Sequence, residues 1–320
     1  MKKLIFCLMI LNINFLSAAK KQPYVLSETY QGKYIGDLSK EEWDKRGSNG
    51  WIISKLSDGT EVRTSYIQGK IHGSTIYTYP NSTNPKLTQI FDMGRLTAQI
   101  EHFSSGEKEK ETQFLQDSKK ISKWYFDQTP LCIEEWKGSY LKEAVTYFNG
   151  KEESHVHEGN GILTVRDPYG ILISKDTYAS GELAQKQYFY PNLELKQQVP
   201  FVQGQIHGHL KNFLSGGLPL SIEEWKMGKQ DGITIYFENG SIKQTVTFSD
   251  GKKHGPEKHF LENMKIGQQL NWKKGKRHGP QVTYIQGQPH EEWYLEDKCV
   301  NKFTYNLLNI PSINKKSSKA

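Results

Sequence analysis

Residues 228–251 read GKQDGITIYFENGSIKQTVTFSDG. Ile233, Ile235 and Phe237 alternate with Thr234 and Tyr236, and Glu238-Asn239-Gly240-Ser241 then intervenes. Beyond it Ile242, Val246 and Phe248 share one parity, and Lys243, Thr245 and Thr247 the other. Period-two alternation on both sides of Asn-Gly predicts a β-hairpin, because a tight primed turn needs positive φ at its centre. The stretch opens on Gly228 and closes on Gly251, where the next such stretch begins.

That leading glycine recurs every 21 to 25 residues along the chain. It usually opens Gly-(Lys/Gln)-x-His-Gly, as at Gly69-Lys70-Ile71-His72-Gly73 and Gly204-Gln205-Ile206-His207-Gly208. Gly251-Lys252-Lys253-His254-Gly255 and Gly275-Lys276-Arg277-His278-Gly279 repeat it, and the copy at Gly228 has Asp231 for histidine before Gly232. Gly181, Gly159, Gly138, Asp117, Gly94, Gly69 and Gly47 extend the register toward the N-terminus, giving eleven units. Those at Asp117 and Gly138 rest on spacing alone. Three residues before the leading glycine stands an aromatic: Tyr66, Phe91, Tyr178, Phe201, Trp225, Phe248 or Trp272. Self-similarity at a short period marks a repeat array, here with one hairpin per unit and its glycines at the joint to the next.

Composition agrees with a thin sheet. Only 36% of the 320 residues are hydrophobic and the mean hydropathy is −0.69, yet aromatics reach 12%. Large rings then supply burial that aliphatic side chains supply in a thick core. Lys2 and Lys3, the apolar run Leu4–Leu16 and the small residues Ser17-Ala18-Ala19 read as a signal peptide cut after Ala19. Loss of Lys2 and Lys3 lowers the formal charge from +7 to +5, and no cluster resembles a nucleic-acid-binding arm. Cys7 leaves with the leader. Cys132 and Cys299 lie about seven units apart, too far for the Cα separation of about 7 Å that a disulfide tolerates.

The domain reading is a leader over 1–19, a cap or degenerate first hairpin over 20–46 and the array over 47–297. A terminal strand and flexible basic tail follow over 298–320.

The glycine-anchored hairpins, the His-Gly-Pro openings at Gly251 and Gly275 and the aromatic ladder resemble the MORN repeat family. They are most similar to its bacterial variant in YwqK-type antitoxin-like proteins. The resemblance implies an all-β, elongated, single-layer antiparallel meander of stacked hairpins. It also implies protein association or work at membrane surfaces, and no enzyme active site.

The candidate chemical groups fit that picture. His72, His207, His254 and His278 invite a metal, but equivalent positions of adjacent units lie two strand spacings apart, about 9.6 Å, against zinc–nitrogen bonds of about 2.1 Å. Each imidazole is expected to pack on the next turn and satisfy a loop carbonyl. His155 and His157 share one face of an extended segment without a third ligand. The pairs Glu41-Glu42, Glu134-Glu135, Glu223-Glu224 and Glu291-Glu292 precede a tryptophan each time. Neighbouring strand residues point to opposite faces, so neither pair can share one substrate. They are expected to face water or meet lysines while the tryptophan covers the sheet. No nucleophile elbow, phosphate loop or zincin motif occurs, and no cofactor is expected.

Lys252, Lys253, Lys273, Lys274, Lys276 and Arg277 form the candidate basic surface. The sequence thus reads as an exported, secreted or periplasmic, non-enzymatic scaffold that binds a protein partner, as yet unidentified, along an extended surface. Its rivals are a peripheral module on anionic membrane and an antitoxin-like protein neutralising a toxin. Nucleic acid is not expected, and the open strand edges offer a homodimer contact.

Overall fold

A computed structural model describes residues 22–309. The leader 1–19 and the tail from 310 onward lie outside the described residues. Among the described residues the fold is all-β, with 27 strands in open antiparallel meander order and a short helix near each end. The chain divides into two compact units, one ending at Gly106 and one beginning at Glu107.

In the first unit Val25–Gly32 pairs with both Gly36–Leu38 and Gly50–Leu56, and each later strand pairs with the next. Glu41-Glu42-Trp43, expected on a strand, lies instead in the helix Lys40–Lys45. Ser39 and Glu42 close a reciprocal capping box that favours helix there. The helix lays Trp43, 3% exposed, against Tyr30 and Tyr66 at 5.9 and 6.1 Å between ring centroids.

The second unit repeats the hairpin from Lys108–Phe114 to Lys298–Val300. The last strand stops there, and Lys302–Leu308 is a helix where the sequence predicted further strand. Asn301 caps it, its side-chain oxygen accepting from the Thr304 N–H, which ends the extended conformation one residue earlier. The apolar core centres on Leu131, Cys132, Leu141, Ala144, Val156 and Leu163, all below 9% exposed.

Two kinds of turn alternate. The leading glycine occupies the second position of a two-residue turn whose first residue also has positive φ: Gln68-Gly69, Met93-Gly94, Gln203-Gly204, Met227-Gly228, Asp250-Gly251 and Lys274-Gly275. These are primed hairpin turns, so the leading glycine closes a hairpin itself. Turns at the opposite ends of the strands vary in length, from Asn239-Gly240 through Ser57–Gly59 to the longer Pro80–Thr83.

A backbone bond links consecutive leading-glycine turns. The N–H of Gly94 donates to Ile71, that of Gly228 to Ile206, Gly251 to Gln230 and Gly275 to Lys253, at 2.7–2.8 Å. Each acceptor lies two residues beyond the preceding leading glycine.

The second glycine of the motif has a separate task. Gly73 stands opposite Phe91, Gly208 opposite Trp225, Gly232 opposite Phe248 and Gly255 opposite Trp272. The aromatic of one strand thereby covers bare backbone on its neighbour. All four glycines have positive φ, between 85° and 122°, which a side chain resists.

Candidate interaction surface

The fourth motif position works differently from the sequence expectation. His72 Nδ1 accepts the Met93 N–H at 3.3 Å, from the turn of the next unit, and satisfies no carbonyl. Asp231, the non-histidine copy, does the same for the Asp250 N–H at 3.0 Å. Asn49 and Asn160 serve Gln68 and Ser180 in like manner. At His72 and Asp231 the task is that of an acceptor, which aspartate performs as well as histidine. His207 and His278 keep Nδ1 buried without a partner among the described residues, and His254 is exposed. His278 instead meets Tyr305 of the terminal helix edge-on at 5.4 Å. No group of three or more His, Cys, Asp or Glu side chains among the described residues is placed to hold a metal.

At Glu134-Glu135 the paired glutamates divide by face as strand geometry requires, and one of them is buried. Glu134 is 4% exposed, whereas Glu135 reaches Lys142 near the surface. Glu134 accepts from Lys123 at 2.5 Å and from the Trp136 indole at 2.8 Å, with the Cys132 thiol at 3.5 Å. Burial works to raise its pKa; the Lys123 ammonium and the other donors outweigh this and hold it below the usual carboxylate value. Burial likewise pushes the Cys132 thiol up, with the Glu134 charge adding to it. Cys132 and Cys299 are both free.

The same arrangement recurs. Glu223 accepts from the Trp225 indole at 3.1 Å and from Asn212 and Ser221. Glu257, 4% exposed, holds Lys253 at 2.6 Å and His259 at 2.8 Å. Asp176, also 4% exposed, pairs with Lys186. Residues two apart on a strand share a face, so Glu-x-Trp already placed carboxylate and indole together. Sequence reading grouped the two adjacent glutamates and missed this. Such carboxylates are fixed by several donors and open to no substrate.

Of the basic residues, Lys253 is held by Glu257 and lies 4.6 Å from the Trp272 ring centre, while Arg277 stacks 4.4 Å from that of Tyr294. Lys276 reaches Glu296 at 3.4 Å. Lys252, Lys273 and Lys274 are exposed and form no direct ion pair among the described residues. Register sets Lys273 opposite Lys276, and Lys226 opposite Lys229 two leading-glycine turns earlier. Directly opposed like charges weaken a sheet.

Exposed apolar side chains also line the second unit: Ile162 at 45%, Ile173 at 44%, Leu220 at 42% and Ile233 at 49%. Ile173 and Leu220 border a shallow groove of about 560 Å³ walled by Tyr188, Tyr190 and Phe213, with Gln197 and Asn212 hydrogen-bonded to each other in it.

Comparison with known proteins fits these landmarks. No curated protein matches the chain. A porin-like protein from Bacteroides uniformis ATCC 8492 is 7% identical, with 76% of this chain and 89% of that one covered, at a TM-score of 0.15. A superposition that loose says nothing about architecture or function here. The MORN repeat model matches residues 65–83 and 271–280. Both matches begin four residues ahead of a leading glycine, Gly69 and Gly275, and take in the aromatic, the histidine and the second glycine. Two matches in one register of hairpins support a MORN-repeat protein.

Proposed function

We propose that this chain is an exported, non-enzymatic scaffold whose extended β surface binds a partner protein. The observation that carries the reading is the exposure of the aliphatic side chains Ile162, Ile173, Leu220 and Ile233 on the repeated strands. Apolar side chains left in water along a rigid sheet are what a protein partner covers. The charged groups that could act on a small substrate are tied into fixed networks, as at Glu134 and Glu257.

The test is capture from the compartment to which the chain is exported, with the chain and its Ile162→Glu/Ile233→Glu variant immobilised side by side. A partner retained by the first and lost by the folded variant is expected. Equal retention, or none, rejects the reading. A toxin as the retained protein would establish the antitoxin-like form of it.

A second reading, attachment to anionic membrane, is favoured by Lys252, Lys273 and Lys274 and by the opposed pairs Lys226–Lys229 and Lys273–Lys276. Flotation with vesicles of graded phosphatidylserine content decides it. Binding must rise with anionic lipid and fall with salt; indifference to lipid charge removes it.

A further inference from the structure

The two ends of the strand order are protected unequally. At the C-terminal end Gln288–Leu295 pairs along one side with Gly279–Ile285, and on the other only Trp293, Tyr294 and Leu295 meet Lys298–Val300. The stretch left open, Gln288–Glu292, contains Pro289, which has no N–H to offer, and the charges of Glu291 and Glu292. Proline and charge are the usual guards of an exposed edge.

At the N-terminal end Val25–Gly32 pairs with Gly50–Leu56 on its inner side, and on its outer side Gly36–Leu38 covers only Tyr30, Gln31 and Gly32. Val25–Thr29 is therefore an open edge among the described residues. It carries no proline and no lysine, and its Val25 and Leu26 are 47% and 62% exposed. Its one charge, Glu28, is turned to its own sheet, accepting from Tyr30 at 2.8 Å and Ser54 at 3.4 Å. The register shift between Val25 and Ser27 resembles those beside Cys132, Ser174 and Ser221 in interior strands, so it belongs to the repeat and does not guard the edge.

We propose that this edge joins two copies of the chain, Val25–Thr29 against Val25–Thr29, antiparallel about a two-fold axis through Ser27. Opposed residues of an antiparallel pair share a face, so a two-fold normal to the sheet must pass through a residue. Through Glu28 it would set two carboxylates face to face; through Ser27 it opposes Val25 to Thr29 and Leu26 to Glu28, with no like charges met. Pairing with the C-terminal edge of another copy would bring Glu28 to the Glu291-Glu292 stretch and lose a donor at Pro289. The isologous contact closes at two copies, whereas the head-to-tail one would propagate. The inference rests on the exported state proposed above, with residues 1–19 removed.

The test uses the chain from Lys20 to Ala320, so that it does not depend on whether export occurs. Sedimentation equilibrium should show a monomer–dimer equilibrium centred on the order of 10 μM, as a contact this small allows. Leu26→Lys/Thr29→Lys should weaken it at least about tenfold with unchanged circular dichroism, and His290→Lys at the guarded edge should leave it alone. In a Cys299→Ser background, Ser27→Cys should give a disulfide-linked dimer under mild oxidation and Glu292→Cys should not. A monomer throughout, a dimer indifferent to Leu26→Lys/Thr29→Lys, or species growing past two copies overturns the proposal.

Discussion

The glycines of the array do not all bear the same constraint. A Cβ on Gly204 would meet nothing within 4 Å, so Gly204→Ala should cost only the left-handed backbone preference, about 1 kcal/mol. Gly161, at φ +140°, is different, because a Cβ there would press on the backbone carbonyl of His155. Strand backbone cannot give way cheaply, and Gly161→Ala should cost more than about 2 kcal/mol. Chemical denaturation of the two variants checks the difference; equal losses would show that φ alone matters. Gly204 was legible in the sequence as part of the motif, whereas Gly161, two residues past the leading Gly159, belongs to no copy of it and its close approach depends on which strand lies opposite. For the same reason His72 was expected to meet a carbonyl: the amide it serves is 21 residues away, in another turn.

On single strands, alternation and Asn-Gly located the hairpins correctly because both are local signals. It failed at Lys40–Lys45, where a capping box outweighed a phrase that elsewhere marks a strand, and at Lys302–Leu308, where an asparagine cap did so. The buried carboxylates are the energetic novelty of the strands. Glu134 and Glu257 both have lowered pKa values. A group depressed on folding stabilises above its unfolded pKa, and that contribution is lost as pH falls through its folded value. Stability should therefore hold at neutral pH and fall progressively below the ordinary carboxylate range. Glu134→Ala leaves Lys123 unpartnered, though with access to water. It should cost about 2–3 kcal/mol at pH 7 and less in acid, where the contribution of the pair is progressively lost. Thermal melts at pH 7 and pH 3 check this, and a loss unchanged between them would contradict the assignment.

For the molecule as a whole, the array is periodic but its core is not. Leu131, Cys132, Leu141, Ala144, Val156 and Leu163 concentrate the apolar burial in a few consecutive strands of the second unit. Where repeats touch only their neighbours, local stability follows local burial. Hydrogen exchange should be slowest across residues 131–163 and fastest in Lys298–Val300 and the terminal helix; uniform protection along the second unit would exclude this. The period announced a repeat array, yet it could not announce this unevenness. Burial arises from side chains meeting across strands, and the units are alike in glycine and aromatic positions more than in what fills them.

The bond from a leading-glycine amide to the carbonyl two residues past the preceding one, made at Gly94, Gly228, Gly251 and Gly275, has a practical corollary. It fixes one end of the strands as a ruler, on which almost every turn has two residues. The other end is tied less regularly, as where the Asn81 N–H donates to Gly59, and already accepts Asn239-Gly240, Ser57–Gly59 and Pro80–Thr83. Guest peptides grafted at Asn192 or Ser215 should leave the fold standing, while the same graft between Asp250 and Gly251 should break it. The strands thus have a gauged end and a more permissive end, and new recognition loops can be added only at the permissive one.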